Sequence, residues 1–144
     1  MSIVSDIEKL KKEKNAVILA HYYVDEDVQD VADYIGDSFY LSKVATKVSQ
    51  DRIIFAGVEF MGESAKILNP KKRVFMPDMN ADCPMAHMAD KDEILALREK
   101  YDDLAVVCYI NSTAELKKYS DVCVTSSNAV KICLLYTSPS PRDA

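Results

Sequence analysis

The sequence predicts an α/β fold of three-layer units, short parallel sheets flanked by helices, and three observations carry that prediction. Five short runs are almost wholly apolar rather than alternating, as expected of parallel strands covered on both faces. The segments between them carry apolar residues at one-face helical spacing. Capping and turn residues stand where one pattern gives way to the other.

Taken in order, Ser5 with Glu8 has capping-box spacing and opens a charged amphipathic helix before the first strand, Val17–Ala20. Val28, Val31, Ala32 and Ile35 share a helical face, so a helix is expected there, ended by Gly36. Asp37 or Ser38 then caps a helix with Leu41, Val44, Ala45 and Val48 on one face. Ile53–Ala56 and Val74–Met76 are the second and third strands. Asp90 with Glu93 starts another helix, followed by the fourth strand, Ala105–Ile110. Ser112 with Glu115 repeats the box, Val122–Thr125 is the fifth strand, and a helical pattern begins at Asn128. Such alternation argues for a doubly wound, right-handed layer structure.

The pattern also hints at repetition. Ala16-Val-Ile-Leu-Ala-His and Ala105-Val-Val-Cys-Tyr-Ile both follow a charged helix and both run into polar residues. The expected organisation is a first α/β unit over residues 1–88 and a second, with only two strands, over 89–132. A parallel pair of strands rarely stands alone and leaves an unpaired edge, so the chain is expected to be cut short. From Cys133 the sequence reads Cys-Leu-Leu-Tyr-Thr-Ser-Pro-Ser-Pro-Arg-Asp, which departs from the helical pattern. It is similar to a translated transposase adapter of the kind used in sequencing libraries. Residues 133–144 are therefore expected to be a non-native tail and are set aside from the fold reading.

Composition narrows the function. The chain of 144 residues is 49% hydrophobic, enough for a core. Its net charge of −5 comes with no basic stripe, which argues against nucleic acid but not against small anions held at helix ends. No apolar run approaches the roughly 20 residues of a membrane span, and the first twelve lack a signal-peptide core. Four cysteines without a CxxC pair suggest neither a disulfide framework nor a dithiol, so a reducing cytoplasm is the expected location.

In open parallel sheets ligands bind beyond the carboxyl ends of the strands. His21-Tyr22-Tyr23 follows the first strand and Glu59-Phe60-Met61-Gly62-Glu63-Ser64 the second. Asp82-Cys83-Pro84 lies beyond the third, Tyr109-Ile110-Asn111-Ser112 closes the fourth, and Ser126-Ser127-Asn128 follows the fifth. His21 can polarise a carbonyl or move a proton near neutral pH, or can be a hydrogen-bonded core histidine. Tyr23 and Tyr109 are acid–base candidates or packing residues. Ser38 and Ser126, each at an expected helix start, can hold an anion or simply cap. Cys108 and Cys123 sit inside apolar runs and read as core, and His87 reads as a loop residue. Cys83, in a polar loop, can react or ligate a metal, but one cysteine cannot hold an iron–sulfur cluster.

As an ordered set, His21-Tyr22-Tyr23, Gly36-Asp37-Ser38, Asp82-Cys83-Pro84-Met85-Ala86, Tyr109-Ile110-Asn111-Ser112 and Thr125-Ser126-Ser127-Asn128-Ala129 resemble the quinolinate synthase family. The likeness runs from Ser5 to about Ile132. It implies an enzyme of NAD biosynthesis that condenses iminoaspartate with dihydroxyacetone phosphate, and a functional link to an aspartate-oxidising enzyme. It implies three similar α/β units, of which this chain has the first and part of the second. It also implies a 4Fe–4S cluster held by three cysteines, one per unit. Carried across, Cys83 is the first cluster ligand, and His21 and Ser38 bind the dicarboxylate or phosphate groups. Tyr109, Asn111 and Ser126 complete the polar wall, with His21, Tyr23 and Tyr109 as the catalytic candidates. The second and third cluster cysteines and the family's later His-Pro-Glu motif are missing. The chain alone is therefore expected to be inactive and to bind no stable cluster. The alternative is a non-catalytic α/β module that binds a small anion at Ser38 and Ser126.

Overall fold

Parallel pairing built from consecutive strand–helix steps organises the computed structural model, which describes residues 2–136. The elements run α1 (Ile3–Glu13), β1 (Ala16–His21), α2 (Glu26–Asp30), β2 (Tyr34–Gly36), α3 (Ser38–Lys47), β3 (Arg52–Ala56), α4 (Glu59–Leu68) and β4 (Arg73–Phe75). A short 3-10 turn, Pro84–His87, precedes α5 (Lys91–Lys100), β5 (Val107–Tyr109), α6 (Ala114–Lys118), β6 (Val122–Val124) and α7 (Ala129–Tyr136). The chain divides into two compact units, residues 1–83 and 84–144.

Unit 1 holds a parallel sheet of order β2-β1-β3-β4. The chain steps outward from β1 to β2, then crosses back over β1 to β3 and on to β4. Right-handed crossovers place α3 and α4 on one face and α2 on the other, beside α1. Lys11 of α1 reaches the Val31 carbonyl at the end of α2, in keeping with that placement. The core lies on the α3–α4 side. Ile53 and Phe55 of β3 are fully buried there, with Leu41 and Ala45 of α3 and Ala65 of α4. β1 is central and buried throughout, Ala16 to His21.

Unit 2 pairs β5 with β6, again parallel. Leu19 lies opposite Tyr34 and Val107 opposite Val122, an offset of 88 residues (107 − 19). The same offset relates α1's N-cap Ser2 to α5's N-cap Asp90, and both ends of α2 to both ends of α6. The repeat expected from sequence is real, but its phase differs by one residue. Ala16 corresponds to Leu104, not to Ala105. Main-chain geometry fixes the phase, whereas the two apolar runs match by eye at either setting.

Each unit also carries a carboxylate clamp at the start of its second strand. In unit 1 the Ile18 N–H donates to Asp33 Oδ2 at 2.8 Å, and the Asp33 N–H donates back to the Ile18 carbonyl at 2.9 Å. The Lys11 ammonium closes the group at 2.9 Å. In unit 2 the Val106 N–H donates to Asp121 Oδ2 at 2.7 Å, with the return bond at 2.9 Å and the Arg98 guanidinium at 2.7 Å.

Several local expectations are corrected. The helix expected through Ile35 stops at Asp30, and Tyr34–Gly36 is a sixth strand, β2. Its three residues are too few for periodicity to declare, and pairing with β1 decides the outcome. Ser2 rather than Ser5 caps α1, accepting from the Ser5 N–H, and Thr113 rather than Ser112 caps α6. The helix that was expected to break at Cys133 continues to Tyr136. Residues 137–144 of the expected tail lie outside the described range. Cys108 and Cys123 face each other across the β5–β6 pair and are half-buried rather than core, because the two-stranded sheet covers them incompletely.

Candidate active site

In unit 1 the connections from β1 and β3 leave for opposite faces, and the carboxyl ends of strands at such a switch point are where ligands bind in open parallel sheets. His21 is the last residue of β1 and stands opposite Gly36, the last residue of β2. It is 8% exposed. Its Nδ1 accepts the Tyr23 backbone N–H at 3.2 Å. That bond assigns the neutral tautomer with the proton on Nε2, a donor suited to a carbonyl or carboxylate oxygen. Burial pushes the imidazole pKa below 6.5, with the Asp37 carboxylate opposing the shift. His21 is therefore a neutral imidazole near pH 7, with its Nε2–H available as a donor.

Tyr22 and Tyr23 enclose the imidazole. The Tyr22 ring stacks on it with centroids 4.5 Å apart, and the Tyr23 ring meets it edge-on at 4.7 Å. The two phenols are hydrogen-bonded, which pushes the Tyr22 phenol above its usual pKa. Tyr23, 82% exposed, offers the more accessible hydroxyl. Tyr22 had no role in the sequence reading. Its adjacency to His21 in an HYY run was the available signal, but consecutive residues of an extended strand point to opposite faces, which hid the stacking.

Ser38 opens α3 immediately after β2. Asp37 is the true N-cap, accepting the Tyr40 N–H at 2.7 Å. The first turn of this ten-residue helix presents backbone N–H groups of the kind that hold anions. Gly36 makes room at the turn, since a Cβ there would collide with the Tyr40 ring. The Tyr22 N–H donates to the Gly36 carbonyl at 3.2 Å, which ties the His21 and Ser38 segments together.

Cys83 closes unit 1 and is half-buried and free. Its loop is anchored by the Glu59 N–H donating to the Ala81 carbonyl at 2.9 Å, at the start of α4. That bond brings the cysteine-bearing loop to the end of β3, on the same rim as His21. Cys83 fits a cluster as one thiolate corner. Among the described residues no group of three His, Cys, Asp or Glu side chains is arranged to hold a metal ion.

The remaining candidates lie at matching places in unit 2. With the offset of 88 residues (109 − 21), Tyr109 corresponds to His21, Asn111 to Tyr23 and Ser126 to Ser38. Tyr109 ends β5, and the Ile110 N–H donates to the Val124 carbonyl at 2.8 Å, reproducing the Tyr22–Gly36 bond. Ser126 was expected at a helix start but lies in the turn before α7. Thr125 Oγ1 and Ser127 Oγ are 2.8 Å apart in that turn, and the Thr125 N–H donates to Asn128 Oδ1 at 2.8 Å. His87 ends the 3-10 turn rather than lying in a loop.

The family described as quinolinate synthetase A protein matches residues 5–140. The chain belongs to this family. It is 70% identical over 126 residues to a quinolinate synthase of Fusobacterium nucleatum, covering 88% of the chain and 42% of that relative. A quinolinate synthase of Clostridium novyi is 61% identical over 126 residues, again 88% of the chain and 42% of the relative. One from Pyrococcus abyssi is 58% identical over 132 residues, 92% of the chain and 44% of the relative. The chain thus spans less than half the length of the curated relatives it matches. Among the described residues no helix is long and apolar enough to cross a membrane.

Proposed function

We propose that this chain carries the N-terminal part of a quinolinate synthase active site, acting on iminoaspartate and dihydroxyacetone phosphate. The observation that supports this most is the neutral, buried His21 at the end of the central strand, with Ser38 opening the neighbouring helix. In this reading His21 Nε2–H donates to a substrate carboxylate or carbonyl oxygen. The α3 N-terminus and the Ser38 hydroxyl take a carboxylate or phosphate. Tyr23, as the exposed phenol beside His21, moves a proton during isomerisation or loss of water. Tyr109, Asn111 and Ser126 supply the polar groups of the second unit. Cys83 would hold one corner of a 4Fe–4S cluster, whose open iron supplies Lewis-acid polarisation of substrate oxygens when bound.

The test is a chimera in which residues 5–132 replace the matching segment of the Fusobacterium nucleatum relative. After anaerobic reconstitution the chimera should form quinolinate. His21→Ala should lower kcat/KM by about two orders of magnitude or more while leaving the cluster spectrum intact. Cys83→Ala should abolish the cluster. A chimera that folds and binds its cluster but forms no quinolinate would overturn the proposal. The 144-residue chain by itself should yield no stoichiometric cluster by iron and sulfide analysis. A full 4Fe–4S spectrum from it would contradict the assignment of Cys83 as one ligand among several.

A further inference from the structure

The turn between β1 and α2 carries the phenol of Tyr23, and hydrogen bonds from three sources hold its main chain. The Val24 N–H closes a β-turn on the His21 carbonyl at 3.0 Å. The Tyr23 N–H donates to His21 Nδ1 at 3.2 Å. The third source lies outside the turn, on α2. The Gln29 side-chain nitrogen donates to the Val24 carbonyl at 2.7 Å and to the Tyr22 carbonyl at 3.3 Å. Gln29 thus grips the carbonyls on either side of Tyr23. The Tyr23 ring is held edge-on by its two neighbours, with centroids 4.7 Å from His21 and 4.6 Å from Tyr22. Those neighbours belong to the same turn, so the phenol goes where the main chain of the turn goes.

The backbone of Gln29 is itself fixed on both sides. Its N–H donates to the Asp25 carbonyl at 3.1 Å, and its carbonyl accepts the Ala32 N–H at 3.0 Å. Four residues further on, Asp33 exchanges hydrogen bonds with Ile18 of the central strand. The carboxamide is therefore presented from a segment tied to β1. Little else fixes α2 against the turn, since the helix has five residues, buries none of them and has no side-chain cap bond from Asp25. Every partner lies between Ile18 and Asp33, within one strand–helix step of unit 1. The residue type suits the task as well. An amide supplies two N–H donors without charge, whereas a carboxylate of the same shape supplies none.

We propose that Gln29 is a positioning residue for the Tyr23 phenol, its carboxamide strapping the β1–α2 turn so that the ring keeps one orientation beside His21. The inference rests on the reading of Tyr23 as the group that moves a proton. Gln29 acts on the rate through Tyr23 alone. Without the strap the phenol keeps its chemistry but loses its fixed orientation, and lost orientation lowers kcat more than it weakens binding.

The experiment is a double-mutant cycle in the quinolinate-forming chimera. Gln29→Met keeps the length of the side chain and removes both donors, and Gln29→Glu does the same with an isosteric carboxylate. The position is half-buried, so the circular dichroism of both variants should match the parent. In each, kcat should fall about tenfold, with KM within about twofold and the cluster spectrum unchanged. In a Tyr23→Phe background the same substitutions should cost nothing further, because the group they position is gone. In the 144-residue chain, Gln29→Met should speed hydrogen exchange of the Tyr23 and Val24 amides about tenfold, while the Tyr22 amide, bonded to Gly36, keeps its rate. The proposal is overturned by an equal loss of kcat in the Tyr23→Phe background. Unchanged amide exchange overturns it too, as does full activity of both Gln29 variants when Tyr23→Phe is impaired. If Tyr23→Phe is as active as the parent, the reading of Tyr23 fails by itself, and amide exchange then decides whether Gln29 holds the turn.

Discussion

Units 1 and 2 share one backbone plan at an offset of 88 residues (107 − 19), yet they differ sharply in how much they bury. β1 lies between β2 and β3 and is buried along its whole length. Its counterpart β5 has one partner, β6, and is half-buried or exposed. Leu41, Val44 and Ala45 of α3 are buried, whereas α7, in the corresponding place, has no buried residue. Among the described residues of unit 2 only Ala86, Leu116 and Val124 are buried apolar groups. The clamp carboxylates, the bounds of α2 and α6 and the strand register are nevertheless reproduced. Register is set by short-range groups that need only two strands, whereas burial depends on how many neighbours a strand and its helix have.

The largest test of this contrast compares Leu19→Ala with Val107→Ala, its counterpart. The first empties a fully buried position and should cost about 2–5 kcal/mol of unit 1 stability. The second should cost about 1 kcal/mol or less. Urea unfolding followed by residue-resolved NMR reads the two units separately, and equal losses would break the contrast. Next come the clamps. Asp33→Ala removes an acceptor that serves both Ile18 and Lys11 and should cost about 1.5–3 kcal/mol. Asp121→Ala should cost less, since its clamp lies in a more open setting. The Val106 N–H and the Arg98 guanidinium hold the Asp121 carboxyl below the usual carboxylate range. Its contribution is therefore present above about pH 4 and fades as pH falls through the lowered value. A loss of Asp121-dependent stability at neutral rather than acid pH would contradict the clamp.

Capping sharpens the comparison on a smaller scale. Thr113 accepts the Leu116 N–H, whereas Asp25, at the matching position, makes no side-chain cap bond. Thr113→Ala should cost about 1 kcal/mol in local exchange protection of α6, with Thr113→Ser restoring it. Asp25→Ala should change α2 by only a few tenths of that unit. The mildest effect is one of pH. The lowered pKa of His21 means that the unfolded chain takes up its proton first as the solution is acidified. Unit 1 should lose stability as pH falls from about 6.5 toward the folded pKa and then level off. His21→Asn should flatten that slope in urea midpoints measured across the interval. An unchanged slope would place the titration elsewhere.

Much of the rim was legible in the residues themselves. Apolar runs located β1, β3, β4, β5 and β6, and the carboxyl-end rule then pointed to His21, Cys83, Tyr109, Asn111 and Ser126, while Ser38 stood out as an expected helix start. Motif order was enough to identify the family. Less legible were features made by contacts distant in sequence. Asp33 and Asp121 carried no signal in the sequence, because their role depends on a backbone N–H fifteen residues earlier. β2 read as helix because Val28, Val31 and Ala32 fit that period and the three strand residues cannot outvote them.

What the sequence determined alone is the set of chemical groups and their order along the chain. Strand and helix identity follow from periodicity over many residues, and caps follow from side chains that act on backbone groups two or three positions away. The tertiary structure decided the phase of the repeat, the neutral tautomer of His21 and the stacking of Tyr22. Each of these depends on which strands lie side by side and which face a crossover takes. Those are long-range choices settled by packing, and local spacing carries no record of them.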